Sequence, residues 1–169
     1  MFYPTHQFSF TQPLCEAWRS IAEECRTLLA EEFTPWPETH LYTQGWQVYG
    51  LYFNGNPILE NCVFCPVTTE LVKRVPGMVT AGFSRLRAGC HIRPHIGYSD
   101  KVIRVHLTLE SNTHCRLRVG HETKRWSEGE CLVFNDRVEH EAWNEGDSDR
   151  TVLLLDVQRE KIDFTGRAN

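Results

Sequence analysis

Apolar residues change their spacing along this chain, and the change predicts two kinds of element. In PLCEAWRSIAEECRTLLAEEF (residues 13–33), Leu14, Trp18, Ile21, Cys25, Leu28 and Leu29 recur at helical intervals. Pro13 suits a first helical turn, and Arg19, Glu23 and Glu24 fall on the wet face. FTPWPETH then breaks the helix with two prolines. GWQVYGLYFNG reads as a strand, and TTELVKRV as a second, shorter helix with Thr68 as N-cap and Pro76-Gly77 as terminator. From Met78 onward the pattern is short β-favouring runs: MVTAGFSRLRAG, KVIRVHLTLE, CRLRVG, CLVFND, HEAWN and RTVLLLDV. Many short strands without intervening helices predict a mainly β sandwich or barrel, with the N-terminal helices packed outside it. One domain is expected, helical over about 12–76 and β over about 78–157.

Alternation assigns faces to the strands. In VIRVHLTL, Ile103, Val105, Leu107 and Leu109 share one face, and Arg104, His106 and Thr108 the other. That polar row is either open to water or the lining of a pocket. His91 and His95 just before it, and Arg150 at the head of the last strand, favour the pocket.

Composition narrows the function classes. The 169 residues carry a formal charge of -4 with pI near 6.1, so no basic excess exists to neutralise a nucleic acid. The first residues, MFYPTHQFSF, lack the charged and apolar regions of a secretory signal, and no apolar run approaches the ~20 residues of a membrane span. The expectation is a cytoplasmic protein with reduced thiols, in which the seven cysteines, CVFC included, act as small buried hydrophobes.

Four of the eight histidines, His6, His40, His114 and His121, lie in polar or terminal stretches and read as structural. His95, in RPHIGYSD, and His140, between Glu139 and Glu141 in FNDRVEHEAWN, differ: each sits where one apolar run gives way to another. The flanking glutamates should point away from whatever His140 faces. The two histidines are far apart in sequence, so a sheet must fold one strand back beside the other to bring them together. A double-stranded β-helix does so.

In order and spacing, RPHIG, IRVHLTL, WSEGECLVFND, EHEAWN and the R.VLLLDV run resemble the aspartyl/asparaginyl β-hydroxylase family, over roughly Met78 to Val157 with weaker echoes at Gly45-Trp46 and VTTELVKRVPG. The resemblance implies a jelly-roll, cupin-like core and a non-haem iron, 2-oxoglutarate-dependent oxygenase. It would hydroxylate an unactivated C–H, the β-carbon of an Asp/Asn-like amino-acid or peptidyl substrate, using O2. It implies His95 and His140 as Fe(II) ligands, and Arg150, Ser84 and His106 around the 2-oxoglutarate co-substrate. Arg104 would face co-substrate or an acidic substrate, and Asp136 would orient a ligating imidazole. A small molecule or peptide is the expected substrate, with no nucleic acid and no membrane span. Two departures stand out. Gly97 sits where most such oxygenases place a carboxylate ligand, as it does in the animal members, which leaves two histidines and a water on the metal. Val102 replaces an arginine frequent in the family. The missing carboxylate motivates the alternative of a non-catalytic jelly-roll that keeps the pocket.

Overall fold

The runs that alternate in the sequence form strands, and every strand pairing is antiparallel. The computed structural model describes residues 1–162. In chain order its elements are β1 (Phe2–Tyr3), α1 (Thr11–Glu16), α2 (Trp18–Thr27), β2 (Thr34–Pro35), β3 (Trp46–Phe53), β4 (Asn56–Pro57), α3 (Leu59–Cys62), α4 (Pro66–Lys73), β5 (Met78–Leu86), β6 (His91–His95), β7 (Val102–Glu110), β8 (Cys115–Val119), β9 (Glu122–Lys124), β10 (Cys131–Phe134), β11 (His140–Asn144) and β12 (Arg150–Gln158), with short 3-10 turns between. A major sheet runs β1-β10-β7-β12-β5-β3-β2, with β4 beside β3, and a minor sheet runs β6-β11-β8-β9. Two facing antiparallel sheets form the expected jelly-roll.

The major sheet has a core on each face. Outward, Ile103, Val105 and Leu107 of β7 and Leu153, Leu155 and Val157 of β12 pack with Ile21, Ala22 and Cys25 of α2. Inward, Trp46, Leu86, Val152 and Leu154 meet Leu117 and Ala142 of the minor sheet. Period-2 alternation thus places each central strand between two cores. The polar row of β7 is not solvated: Arg104, His106 and Thr108 are all buried.

Three local expectations change. The first helix is divided at Ala17 and ends at Thr27, because Leu28 adopts an extended backbone (ψ 137°), which leaves Leu29 exposed. Thr68 is not the N-cap of α4, since Pro66 occupies the first turn and Thr68 lies inside the helix. The cap comes from another helix instead. The Glu24 carboxylate accepts hydrogen bonds from Val67 N–H (2.7 Å), Thr68 N–H (2.9 Å) and the Thr68 hydroxyl (2.6 Å). A negative charge on orphan helix donors is stabilising, and this one ties α2 to α4. Finally, His91–His95, which was not among the expected strand runs, forms strand β6; Pro94 fits it because β6 is an edge.

Glu24→Ala should therefore lower stability by about 1–2 kcal/mol, the usual cost of an N-cap. Glu23→Ala, which removes only a surface contact to Arg26, should change little. Urea unfolding of both variants measures the difference.

Candidate active site

Pairing of β11 with β6 sets His140 opposite His95, with ring centroids 4.2 Å apart and planes at 56°. Each ring is held the same way. His95 Nδ1 lies 2.8 Å from the Arg93 carbonyl oxygen and His140 Nδ1 2.9 Å from that of Val138. A carbonyl only accepts, so each Nδ1 carries the proton and each Nε2 keeps a free lone pair. Burial, and then the neighbouring His95, push the His140 pKa down to about 3, which keeps the ring neutral. Neutral imidazoles presenting Nε2 suit a transition metal.

Gly97 is explained by what stands beside it. A Cβ on Gly97 would lie 1.6 Å from Asp136 Oδ2, so the Asp136 carboxylate occupies the space a side chain at 97 would need. The Gly97 N–H donates to the Asp136 carbonyl oxygen at 2.7 Å, and Arg137 Nη1 donates to the Gly97 carbonyl oxygen. Asp136 does not orient an imidazole, as the sequence suggested, because backbone carbonyls do that on both rings. Its Oδ1 instead faces His140 Nε2 at 3.4 Å. Asp136 Oδ1 is at the same time ion-paired with Arg104, while Asp136 Oδ2 has no hydrogen-bond partner among the described residues. The positive charge beside this carboxylate is therefore Arg104. Burial pushes the Asp136 carboxyl up, outweighing Arg104, which pulls it down.

Arg104 is occupied as well. Its Nε and Nη2 donate to the two oxygens of Asp156 (2.8 and 2.9 Å), and Nη1 lies 2.7 Å from Asp136 Oδ1. One buried cation shared by two buried carboxylates is not a free receptor for an acidic substrate. The expectation that Arg104 binds such a substrate is corrected on this point.

The opposite holds for Arg150. Only 1% exposed, it donates to the Ser84 carbonyl oxygen (3.2 Å), lies over Trp126 (4.6 Å), and has no carboxylate partner among the described residues. Desolvation pulls its pKa down to about 10, and its Nε has no partner. His106 adds a second unsatisfied donor. The Trp126 indole N–H points at His106 Nδ1 (3.4 Å), so Nε2 holds the proton, buried and unpartnered. Burial and the cations Arg150 and Arg104 hold His106 neutral. Ser84 is buried, and its hydroxyl oxygen accepts from Trp46 Nε1 (3.0 Å), leaving its own proton to donate. Arg150, His106 and Ser84 line the pocket that also contains His95 and His140. An uncompensated buried cation with neutral donors beside it fits a carboxylate. The free space among these side chains is only about 20 Å³.

The other histidines stay apart. His91 binds Glu141 (2.8 Å) and stacks on Trp143 on the outer face, where Arg118 also holds Glu139 and Glu141. All seven cysteines are free thiols. Sequence reasoning missed Asp156 and Trp126, although β12 alternation puts Asp156 on the same face as Arg150.

The family signature described as aspartyl/asparaginyl beta-hydroxylase matches residues 15–160. The chain belongs to the aspartyl/asparaginyl β-hydroxylase family. A Rhizobium tropici ornithine lipid ester-linked acyl 2-hydroxylase is 39% identical over 66% of this chain and 41% of its own length. Human aspartyl/asparaginyl beta-hydroxylase is 30% identical over 83% of this chain and 20% of its own length, so the chain spans well under half of either relative. Among solved structures, a 2OG-Fe(II) oxygenase family oxidoreductase from Burkholderia pseudomallei superposes with TM-score 0.63 at 15% identity, covering 90% of this chain and 82% of that one. A Pseudomonas putida prolyl-4-hydroxylase gives 0.56 at 18%, covering 86% and 88%. These two show the fold.

If Asp136 excludes a side chain at 97, Gly97→Ala should destabilise by about 1–3 kcal/mol through overpacking. Adding Asp136→Ala should recover part of that loss, a coupling that a double-mutant cycle in urea detects. Additive losses would show that the two positions do not compete for space.

Proposed function

We propose that this domain is an iron- and 2-oxoglutarate-dependent oxygenase that hydroxylates an unactivated C–H. The observation that carries this reading is Arg150, a buried cation without a carboxylate partner among the described residues, in one pocket with His106, Ser84 and the imidazoles of His95 and His140. His95 and His140 would hold Fe(II) through Nε2. Asp136, held by Arg104, faces His140 from beside this pair. Arg150 and the Ser84 hydroxyl would grip the distal carboxylate of 2-oxoglutarate, and His106 Nε2–H would donate to a co-substrate oxygen. Iron held there would supply the oxidation, O2 and 2-oxoglutarate giving succinate and CO2, with one oxygen atom going to succinate and the other to the substrate carbon.

The chain's own groups supply position and a dry environment. Backbone carbonyls fix both imidazole tautomers before any ligand arrives, and Phe134 packs its ring against both His140 and His106. The family contains relatives named for ester-linked acyl groups and for Asp/Asn residues. Arg104, expected to face co-substrate or an acidic substrate, is already paired with Asp136 and Asp156.

Anaerobic calorimetry with Fe(II) and 2-oxoglutarate tests the assignment, together with succinate release in air. Arg150→Ala should weaken 2-oxoglutarate binding by roughly thirty- to several-thousand-fold, the 2–5 kcal/mol typical of a lost buried charge partner, with Fe(II) binding retained. His95→Ala and His140→Ala should each abolish stoichiometric Fe(II) binding, and His114→Ala should not. Wild-type protein that binds iron and 2-oxoglutarate but never forms succinate would leave a binding module in place of an enzyme.

A further inference from the structure

Two sulfurs meet on the outward face of the major sheet, away from the histidine pocket. Cys15 lies in α1 and Cys131 opens β10, and their Sγ atoms are 3.4 Å apart although 116 positions separate them in the chain. In register Cys131 stands opposite Leu107, and both belong to the outward core against which Cys15 packs. The helices are seated closely on the start of this strand. At Gly129, two residues before Cys131, a Cβ would come 2.7 Å from Trp18 Nε1. The contact between the two thiols is therefore part of the seam where the N-terminal helices close over the sheet.

The two thiols differ in the way an attacking and a resolving cysteine must. Of the seven cysteines six are buried, and Cys15 alone is partly exposed. Its hydrogen bond with the Cys131 thiol pulls its pKa down to about 7, against the opposing effects of burial and of Glu130 and Glu16. A thiolate, not a thiol, attacks an oxidant, so Cys15 is both reachable and reactive at neutral pH. Burial pushes Cys25 and Cys65 up to about 12 and Cys90 up to about 11, which keeps those three protonated. Cys131 is itself buried, out of reach of an oxidant in solvent but in contact with the sulfur that is not. A disulfide bond is about 2.0 Å long, so the two sulfurs have about 1.4 Å left to close.

We propose that Cys15 and Cys131 form a modification site for hydrogen peroxide, in which Cys15 is oxidised first and Cys131 closes it to a disulfide that staples α1 to β10. The Cys15 thiolate attacks one peroxide oxygen; the S–O bond forms, the O–O bond breaks, and the departing hydroxide takes a proton to become water. The Cys131 sulfur then attacks the sulfenic acid; the S–S bond forms, the S–O bond breaks, and the hydroxide leaves as a second water with the Cys131 proton. Two thiols and one peroxide thus give one disulfide and two waters, the sulfurs losing the two electrons that the peroxide gains. Nothing in this chemistry depends on the oxygenase reading. The staple fastens the strand whose Phe134 packs against His106 and His140.

The full chain, reduced with dithiothreitol and freed of it, is treated with hydrogen peroxide in the presence of a chelator, and its thiols are counted after denaturation. Wild type should lose two of its seven thiols, yield a peptide pair linked through Cys15 and Cys131 by mass spectrometry, and regain all seven with dithiothreitol. Its melting temperature should rise by roughly 5–15 °C on oxidation, because the staple closes a long loop. Cys131→Ala should stop at a Cys15 sulfenic acid that dimedone traps, and Cys15→Ser should keep its thiols at the same dose. The wild-type peptide map identifies the linkage even where a variant folds poorly. Loss of the buried thiols as fast as Cys15, a dimer joined through Cys15 with Cys131 still free, or an unchanged melting temperature in the oxidised protein would each overturn the proposal.

Discussion

The antiparallel pairing of β6 with β11 is the contact on which the site depends. It sets His95 opposite His140, and the carbonyls of Arg93 and Val138, each two residues back along the chain, fix both rings in one tautomer. No local motif could do this, because the two strands are separated by most of the jelly-roll. The same closure lays the minor sheet over the inward face of β7 and β12. It thereby excludes water from Arg150 and His106, and so makes their missing partners costly. Fold and chemistry are joined at this pairing.

Gly97 and Asp136 form a second constraint. A carboxylate at position 97 and the Asp136 carboxylate cannot occupy the same space, and this chain has the latter. Asp136 is not placed as a spare ligand would be, since it is held 2.7 Å from an Arg104 that Asp156 also claims. The arrangement spreads one positive charge over two carboxylates and turns Asp136 Oδ1 toward the His140 lone pair. Arg104 thereby becomes part of the frame that positions Asp136, and the adjoining cleft is left largely apolar.

Much of this was legible in sequence. Alternation placed Arg104, His106 and Thr108 on one face, and the short-strand pattern predicted the sandwich with its helices outside. The motif order indicated the family, and the residues it named do gather: His95, His140, Ser84, His106 and Arg150 share a pocket. What spacing could not supply was pairing between side chains. Nothing local says that Asp156, fifty-two positions after Arg104, will take its guanidinium, or that Asp136 will fill the room beside Gly97. The N-cap of α4 was misplaced for a similar reason: a local threonine was available, but a glutamate from another helix does the capping. The helix expected through Leu29 ended early because the chain had to turn toward the sheet.

The two halves of the site sit on unequal ground. Arg150 belongs to β12, hydrogen-bonded on both sides by β5 and β7, whereas His95 lies at the end of β6, an edge strand beside an exposed loop that carries Ile96 and Tyr98. Local opening of a sheet starts at its edges. Amide exchange along β12 is accordingly tied to global unfolding, while the His95 strand can detach in a sub-global event of lower free energy. Arg150, the proposed co-substrate anchor, behaves as fixed architecture and His95, the proposed metal ligand, as a hinged leaf, so exchange of a metal held there would follow the breathing of β6.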